Sequence, residues 1–171
     1  NTVVGTVMTN IGLDRFLKTE AIALVKTKVG DRYVLEEMLE KGYVLGGEQS
    51  GHIIFSHYNT TGDGLATGLH LLEVMAESKK PMSELNALMT SYPQALVNAK
   101  VANTKKHDYE NHAGIQEKIR ALENKFKDEG RVVIRPSGTE PLVRVMIEGK
   151  DQDQLQAEAE NLARYIEKVL Q

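Results

Sequence analysis

The chain has 171 residues, enough for one ordinary domain or two small ones, and it is 41% hydrophobic and 26% charged with a net charge of −3. This near-neutral balance argues against nucleic-acid binding through bulk charge, and the absence of cysteine excludes disulfides and thiolate metal sites. Because no apolar run approaches the roughly 18 residues of a membrane span and no signal peptide is visible, we expect a cytoplasmic protein without a membrane partner.

The first part of the chain alternates short apolar runs with helix signals. In chain order, the pattern predicts a strand over residues 3–9, a helix over 13–19, a run over 21–25 that fits strand or helix, a helix from 31, and strands over 43–45 and 53–57. Asp31 is the expected cap of the second helix, and Gly42 is expected to end it.

The middle of the chain contains two further helix starts. Asp63 precedes a helix whose apolar positions recur at helical spacing, namely Leu65, Leu69, Leu72 and Ala76. Ser83 is expected to cap a second helix, and Pro93 ends that region. Residues 95–102 predict a strand that leads into a polar, solvated connection over 103–111. We therefore expect two domains, over residues 1–98 and 99–171.

The last part predicts a helix, a hairpin and a long final helix. One apolar face, formed by Ile115, Ile119, Leu122 and Phe126, defines the first helix, which Gly130 stops. Strands over residues 132–134 and 142–147 flank a turn, and apolar positions from Leu155 to Leu170 mark the final helix. The expected class is α/β: a mixed-sheet α/β domain followed by a small α+β domain with an antiparallel sheet packed on helices.

The turn of that hairpin, RPSGTEP over residues 135–141, has the composition of a phosphate clamp. Backbone N–H groups around Gly138 can converge on an anion, and Ser137 and Thr139 add hydroxyl donors. Arg135 adds a planar fork that suits phosphate oxygens. The alternative is a decorated hairpin turn with an exposed arginine.

A second loop, GGEQSGH over residues 46–52, places a carboxylate, a hydroxyl and an imidazole among glycines. The carboxylate of Glu48 can accept hydrogen bonds from sugar hydroxyls, and the imidazole of His52 can move protons. The alternative is a glycine-rich turn with solvated side chains. Lys28, beside Gly30, is a further candidate for contact with an anion, or else an exposed loop lysine.

Together the two loops resemble the C-terminal half of the α-phosphohexomutase family, and the likeness covers essentially the whole chain. Gln49 within the second loop, with TVMTNIG and VGDRY upstream, resembles the branch that acts on glucosamine phosphates. The resemblance implies four domains around one cleft and interconversion of hexose 6-phosphates and 1-phosphates, here toward UDP-N-acetylglucosamine and peptidoglycan. It also implies a phosphoserine donor, a hexose 1,6-bisphosphate intermediate, and Mg²⁺ held by the phosphoserine and an Asp-Gly-Asp-Gly-Asp loop.

The resemblance also implies roles for individual residues. Glu48 and Ser50 match the family's readers of sugar hydroxyls, and His52 matches a ligand-contacting histidine that is a candidate for proton transfer. Lys28 lies where the family places a ligand-facing lysine. The phosphate loop of the fourth domain, which grips the phosphate not being transferred, is matched by Arg135, Ser137, Gly138 and Thr139.

The phosphoserine and metal loops of the family are absent from this sequence, so no metal ligand is assigned. Residues 1–98 match the third domain without its first strand and helix, and residues 99–171 match the fourth. We therefore expect a fragment that binds a phosphosugar, lacks its partner domains one and two, and cannot turn over substrate alone. The alternatives are a fragment of a mutase for glucose or mannose phosphates, and a stand-alone sugar-phosphate binding module.

Overall fold

A computed structural model describes residues 1–127 and 129–171 and divides the chain into two compact units, Asn1–Ser91 and Tyr92–Gln171. Within these residues, no helix combines the length and the apolar character that a membrane crossing needs. The predicted α/β class with a following α+β domain is confirmed.

The first unit is built on a four-stranded mixed sheet. Its elements are β1 (Thr2–Thr6), α1 (Ile11–Thr19), β2 (Ala23–Thr27), α2 (Asp31–Lys41), β3 (Leu45–Gly47), β4 (Ile53–Phe55), α3 (Gly64–Ser78) and α4 (Met82–Leu85). The strand order is β2-β1-β3-β4, with β1 parallel to β2 and β3, and with β4 antiparallel to β3. The carboxyl ends of β1, β2 and β3 therefore meet at one edge of the sheet.

Helix α2 packs on one face of this sheet and forms the core of the unit. The buried residues of this core are Val4, Val34, Met38 and Ile54. Gly46 lies beneath the helix, where an added Cβ would come within 2.5 Å of the Met38 sulfur and 2.7 Å of Val34 Cγ1. The absence of a side chain at position 46 is thus what lets α2 approach β3.

Two of the four helix ends predicted in this unit are confirmed, whereas Asp31 and Ser83 are not caps, since Ser83 lies inside α4 and Pro81 precedes that helix. Gly42 ends α2 in the left-handed conformation, with φ 71°, as expected for a C-terminal glycine. Asp63 caps α3 through Oδ1, which accepts from the N–H groups of Leu65 and Ala66 at 2.9 and 3.0 Å. Asp31 is the first residue of α2 rather than its cap, which is Gly30.

Helix α3 is confirmed as a helix, but its apolar side chains are not buried. No residue of α3 is buried within this unit, and Leu65, Leu69 and Leu72 are 77%, 60% and 60% exposed. The only ring contacts of the helix are made by His70, which lies 4.4 Å from Phe55 and 4.7 Å from Tyr58 between ring centroids, among the described residues. α3 therefore adds little apolar burial to the unit.

The second unit is an antiparallel sheet covered by two helices. It comprises β5 (Gln94–Lys100), a 3₁₀ turn (Asp108–Glu110), α5 (Ala113–Phe126), β6 (Arg131–Pro136), β7 (Leu142–Glu148) and α6 (Gln152–Leu170). The strand order is β5-β7-β6, so β7 is central. Its core is large and gathers residues from every one of these elements except β6.

The division between the units differs from the expected one. All of β5 pairs with β7, from Gln94 opposite Glu148 to Lys100 opposite Leu142, whereas a boundary between residues 98 and 99 would cut this strand. The structure divides the chain after Ser91. The polar connection over 103–111 is also not wholly solvated, because Tyr109 is buried in the core of the second unit. The sequence pattern does not indicate this burial, because the neighbours of Tyr109 in sequence are polar and the strand that it contacts is distant along the chain.

Candidate functional site

The glycine-rich loop of the first unit is a tight turn between β3 and β4. Gly46 and Gly47 belong to β3, so the turn itself is Glu48 to Gly51, closed by hydrogen bonds from Gly51 N to Glu48 O at 3.0 Å and from Glu48 N to His52 O at 2.9 Å. Gly51 has φ 97°, which favours glycine. The turn holds the side chains of Glu48, Ser50 and His52 at one end of the hairpin.

Glu48 is half-buried and bound to a second loop. Its Oε1 accepts a hydrogen bond from Gly30 N at 2.8 Å, at the first turn of α2. Helix N-termini favour negative charge, so the carboxylate stabilises this helix start, which has no side-chain cap of its own. The structure thereby joins the loop after β3 to the loop after β2, which carries Lys28.

Ser50 and His52 are exposed and contact each other. Ser50 Oγ lies 3.1 Å from His52 Nδ1, with the direction of the hydrogen bond set by the imidazole tautomer. This contact orients the ring and leaves Nε2 for solvent or a ligand. Lys28 is also exposed, and Thr27 Oγ1 donates to its backbone carbonyl at 2.9 Å.

The loop of the second unit is a rigid connection between β6 and β7. Ser137 N donates to Leu142 O and Leu142 N donates to Glu140 O, both at 2.9 Å, and Ser137 Oγ accepts from Glu140 N at 3.2 Å. Ser137 is buried, while Gly138, Thr139 and Glu140 are exposed. The backbone N–H of Ser137 is thus committed to the hairpin.

Two backbone donors of this loop remain for a ligand. Across residues 1–127 and 129–171, no hydrogen bond engages the N–H groups of Gly138 and Thr139 or the Thr139 hydroxyl. The predicted anion nest can therefore use the N–H groups of Gly138 and Thr139 but not that of Ser137, which is bonded within the hairpin.

A second arginine, Arg144, lies opposite Arg135 beside this loop. The register of β6 and β7 places Arg135 directly opposite Arg144, so both side chains lie on one face of the sheet. Arg144 Nη2 contacts Glu140 Oε2 at 2.8 Å, and its buried Nε has no hydrogen-bond partner in the described part of the chain. Like charges directly opposite each other on a strand pair are unfavourable, and the carboxylate of Glu140 offsets part of the charge at Arg144.

Sequence reasoning missed Arg144 as a site residue. Arg144 lies between Val143 and Val145 in a strand-like run, and the sequence nevertheless carries a signal for its position. The loop that follows Pro136 has five residues, and Pro136 pairs with Val143. This register places Arg135 opposite Arg144. Both loops are turns in the structure, and each lies in a different unit.

Two family models match the chain. The phosphoglucomutase/phosphomannomutase alpha/beta/alpha domain III matches residues 1–92, and the phosphoglucomutase/phosphomannomutase C-terminal domain matches residues 96–165. These bounds agree with the structural division and support a boundary before β5.

Among curated proteins, the chain is similar to phosphoglucosamine mutases. It is 61% identical over 168 residues to that of Alkaliphilus oremlandii and 60% identical over 167 residues to that of Ruminiclostridium cellulolyticum. Each alignment covers 98% of this chain and 37% of the relative. The chain thus spans little more than a third of the length of the curated relatives it matches.

Solved structures share its fold at low sequence identity. The N-acetylphosphoglucosamine mutase of Aspergillus fumigatus, in complex with GlcNAc-6P and magnesium, matches with TM-score 0.82 and 22% identity over 99% of this chain and 39% of that one. The same enzyme in complex with glucose 1,6-bisphosphate gives a TM-score of 0.81 at 22% identity, over 99% of this chain and 38% of that one.

Proposed function

The chain belongs to the phosphoglucomutase/phosphomannomutase family, and on that premise we propose that it is the substrate-binding C-terminal part of a phosphoglucosamine mutase. Such an enzyme is an isomerase that interconverts glucosamine 6-phosphate and glucosamine 1-phosphate. The curated relatives at about 60% identity, all phosphoglucosamine mutases, support this choice over glucose or mannose phosphates. In this proposal, the partners of this chain are the remaining domains of the enzyme, which account for the greater length of the relatives.

The observation that carries the proposal is the hairpin loop of the second unit. Arg135 supplies a bidentate guanidinium, Gly138 and Thr139 supply unengaged N–H groups, and Ser137 supplies a hydroxyl that can donate while it accepts from Glu140. Arg144 adds a second guanidinium on the same face. Hydrogen bonds to an ionised phosphate are stronger than neutral ones, so this set suits a sugar phosphate.

The turn of the first unit is proposed to bind the hydroxyl groups of the sugar. One oxygen of Glu48 is held by Gly30, and its other oxygen has no partner in the described structure and can accept from a sugar hydroxyl. Ser50 offers a hydroxyl, His52 offers an imidazole for proton transfer at neutral pH, and Lys28 offers a charge for the sugar phosphate.

The proposed role of these groups is orientation. A clamp on one phosphate leaves the other free to face a phosphoryl donor elsewhere in the enzyme, and fixed geometry lowers the entropic barrier of transfer. The complex of an Aspergillus fumigatus relative with glucose 1,6-bisphosphate supports such an intermediate, because either phosphate of that molecule could occupy one clamp.

In the proposed enzyme, magnesium is bound by residues that lie outside this chain. A relative binds magnesium, but residues 1–127 and 129–171 contain no group of three or more His, Asp or Glu side chains that could hold an ion. We therefore propose that the chain alone has no mutase activity. Because sugar phosphates are charged and do not cross membranes unaided, we also propose that the enzyme works in the cytoplasm.

The test is an NMR titration of the 171-residue chain with glucosamine 6-phosphate. We expect amide shifts at Gly138 and Thr139, and Arg135→Ala should weaken binding about tenfold or more, the size of one hydrogen bond to a charged group. Arg164→Ala, on the outer part of α6, is the matched control and should bind like the unchanged chain. A flat titration at millimolar ligand, or equal binding by the two variants, would overturn the proposal.

A further inference from the structure

The segment that links β5 to α5 lies against the β6–β7 hairpin and contacts it in three places, two in the loop and one in β6. Val101 N donates to Pro141 O at 3.0 Å, Tyr109 Oη donates to Ile134 O at 3.4 Å, and Lys106 Nζ donates to Ser137 O at 2.6 Å. Burial raises the pKa of Tyr109 to about 12, so its hydroxyl stays protonated and able to donate at neutral pH. The loop is thus fixed from outside as well as by its own hydrogen bonds.

The Lys106 contact acts on one particular peptide group. The Ser137 carbonyl belongs to the peptide that joins Ser137 to Gly138, and no peptide bond in the described chain is cis. In a trans peptide the C=O and the following N–H point in opposite directions. When Lys106 holds the Ser137 carbonyl on the inner side, the Gly138 N–H is therefore turned to the outer side.

Among the residues that the structure describes, no other hydrogen bond holds this peptide. Gly138 is exposed, an added Cβ there would meet no atom within 4 Å, and no described residue bonds its N–H. Glycine adopts both signs of φ readily, so the Ser137–Gly138 plane could rotate at little cost if the carbonyl were released. The preceding peptide is fixed by the hydrogen bond of Ser137 N to Leu142 O, and the next fixed peptide in the loop is the one that carries Glu140 N, which donates to Ser137 Oγ.

We propose that Lys106 is a positioning residue that locks the Ser137–Gly138 peptide so that the Gly138 N–H faces a bound phosphate. The inference rests on the proposed function of the loop and adds a residue outside it, in the linker. Lys106 is half-buried, whereas Lys105 beside it is exposed and donates to the carbonyl of Gln171. Lys105 is therefore a control of equal charge without the contact.

The experiment uses inorganic phosphate as the probe and the unchanged chain, Lys106→Met, Lys106→Arg and Lys105→Met as the proteins. Titration followed by ¹⁵N–¹H NMR gives the Kd and the shift of the Gly138 amide, at low salt and at 0.5 M sodium chloride. We expect Lys106→Met to weaken phosphate binding about tenfold, as for one hydrogen bond to a charged group, and to abolish the Gly138 shift. Dispersed spectra of each variant verify that it is folded.

High salt separates positioning from simple charge. Loss of a distant charge is screened at this ionic strength, while loss of an oriented donor persists. Lys105→Met should keep the Gly138 response, and Lys106→Arg, which can still donate to the carbonyl, should restore most of it. Equal Kd and equal Gly138 shifts for Lys106→Met and the unchanged chain would overturn the role of Lys106 and leave the proposed function standing. Absence of any loop response in the unchanged chain would overturn both.

Discussion

At the scale of single residues, the same side chain can serve both the fold and the ligand. Glu48 is the clearest case, because its Oε1 stabilises the N-terminus of α2 through Gly30, and its other oxygen remains for a ligand. The two functions need different chemistry. The hydrogen bond to Gly30 needs only an acceptor, whereas recognition of a sugar hydroxyl is stronger with the full charge.

Two substitutions at position 48 should separate these functions. Glu48→Gln retains a side-chain oxygen for Gly30 N. Its free energy of unfolding is expected to lie within about 0.5 kcal/mol of that of the unchanged chain. Glu48→Ala removes the acceptor and should lower the free energy of unfolding by about 1 kcal/mol. Both should weaken glucosamine 6-phosphate binding. Urea unfolding and NMR titration measure the two effects, and a Glu48→Ala chain as stable as Glu48→Gln would contradict the role at α2.

At the scale of secondary-structure elements, packing overrides local preference. Gly46 and Gly47 have low strand propensity, so the sequence placed them in a loop after residue 45, yet β3 is Leu45–Gly47. The reason is the close approach of α2, which leaves no room for a side chain at Gly46. Gly46, which by residue type favours a loop, here permits α2 to pack on β3.

The same contact predicts the effect of adding one methyl group. Gly46→Ala would force its Cβ against the Met38 sulfur and Val34 Cγ1, so we expect a loss of about 1–3 kcal/mol in the free energy of unfolding. Gly68→Ala in α3 is the control, because its Cβ would meet no atom within 4 Å and alanine favours helices by up to about 1 kcal/mol. Urea unfolding of both variants tests this, and equal stability would show that α2 can shift to accept the methyl group.

At the scale of the whole molecule, the two units differ in how much apolar surface they bury. The first unit has a core of four buried residues, and its longest helix buries none of its side chains there. The core of the second unit draws on β5, β7, α5 and α6, and the buried Glu148 of this unit forms an ion pair with Arg131 at 2.5 Å. Because apolar burial is the main favourable contribution to folding, the second unit should be the more stable.

Hydrogen exchange should show this difference directly. Val4 in β1 and Val145 in β7 are matched positions, since both are fully buried and lie in central strands of their sheets. We expect the amides of β7 to exchange at least about tenfold more slowly than those of β1, because the first unit opens without the second. Equal protection of the two strands would mean that the chain unfolds as one cooperative body.

Much of this protein could be predicted from local patterns, and the remainder depends on contacts between distant residues. Capping chemistry and helical spacing placed α3 and α5, and turn composition marked both loops as turns and candidate sites, because these signals act over a few neighbouring residues. The contact of Glu48 with Gly30 spans 18 positions, and that of Lys106 with Ser137 spans 31. Neither contact leaves a periodic trace in the sequence, and neither does the pairing that assigns β5 to the second unit. Only tertiary structure decides them, because the chain must fold before such groups meet.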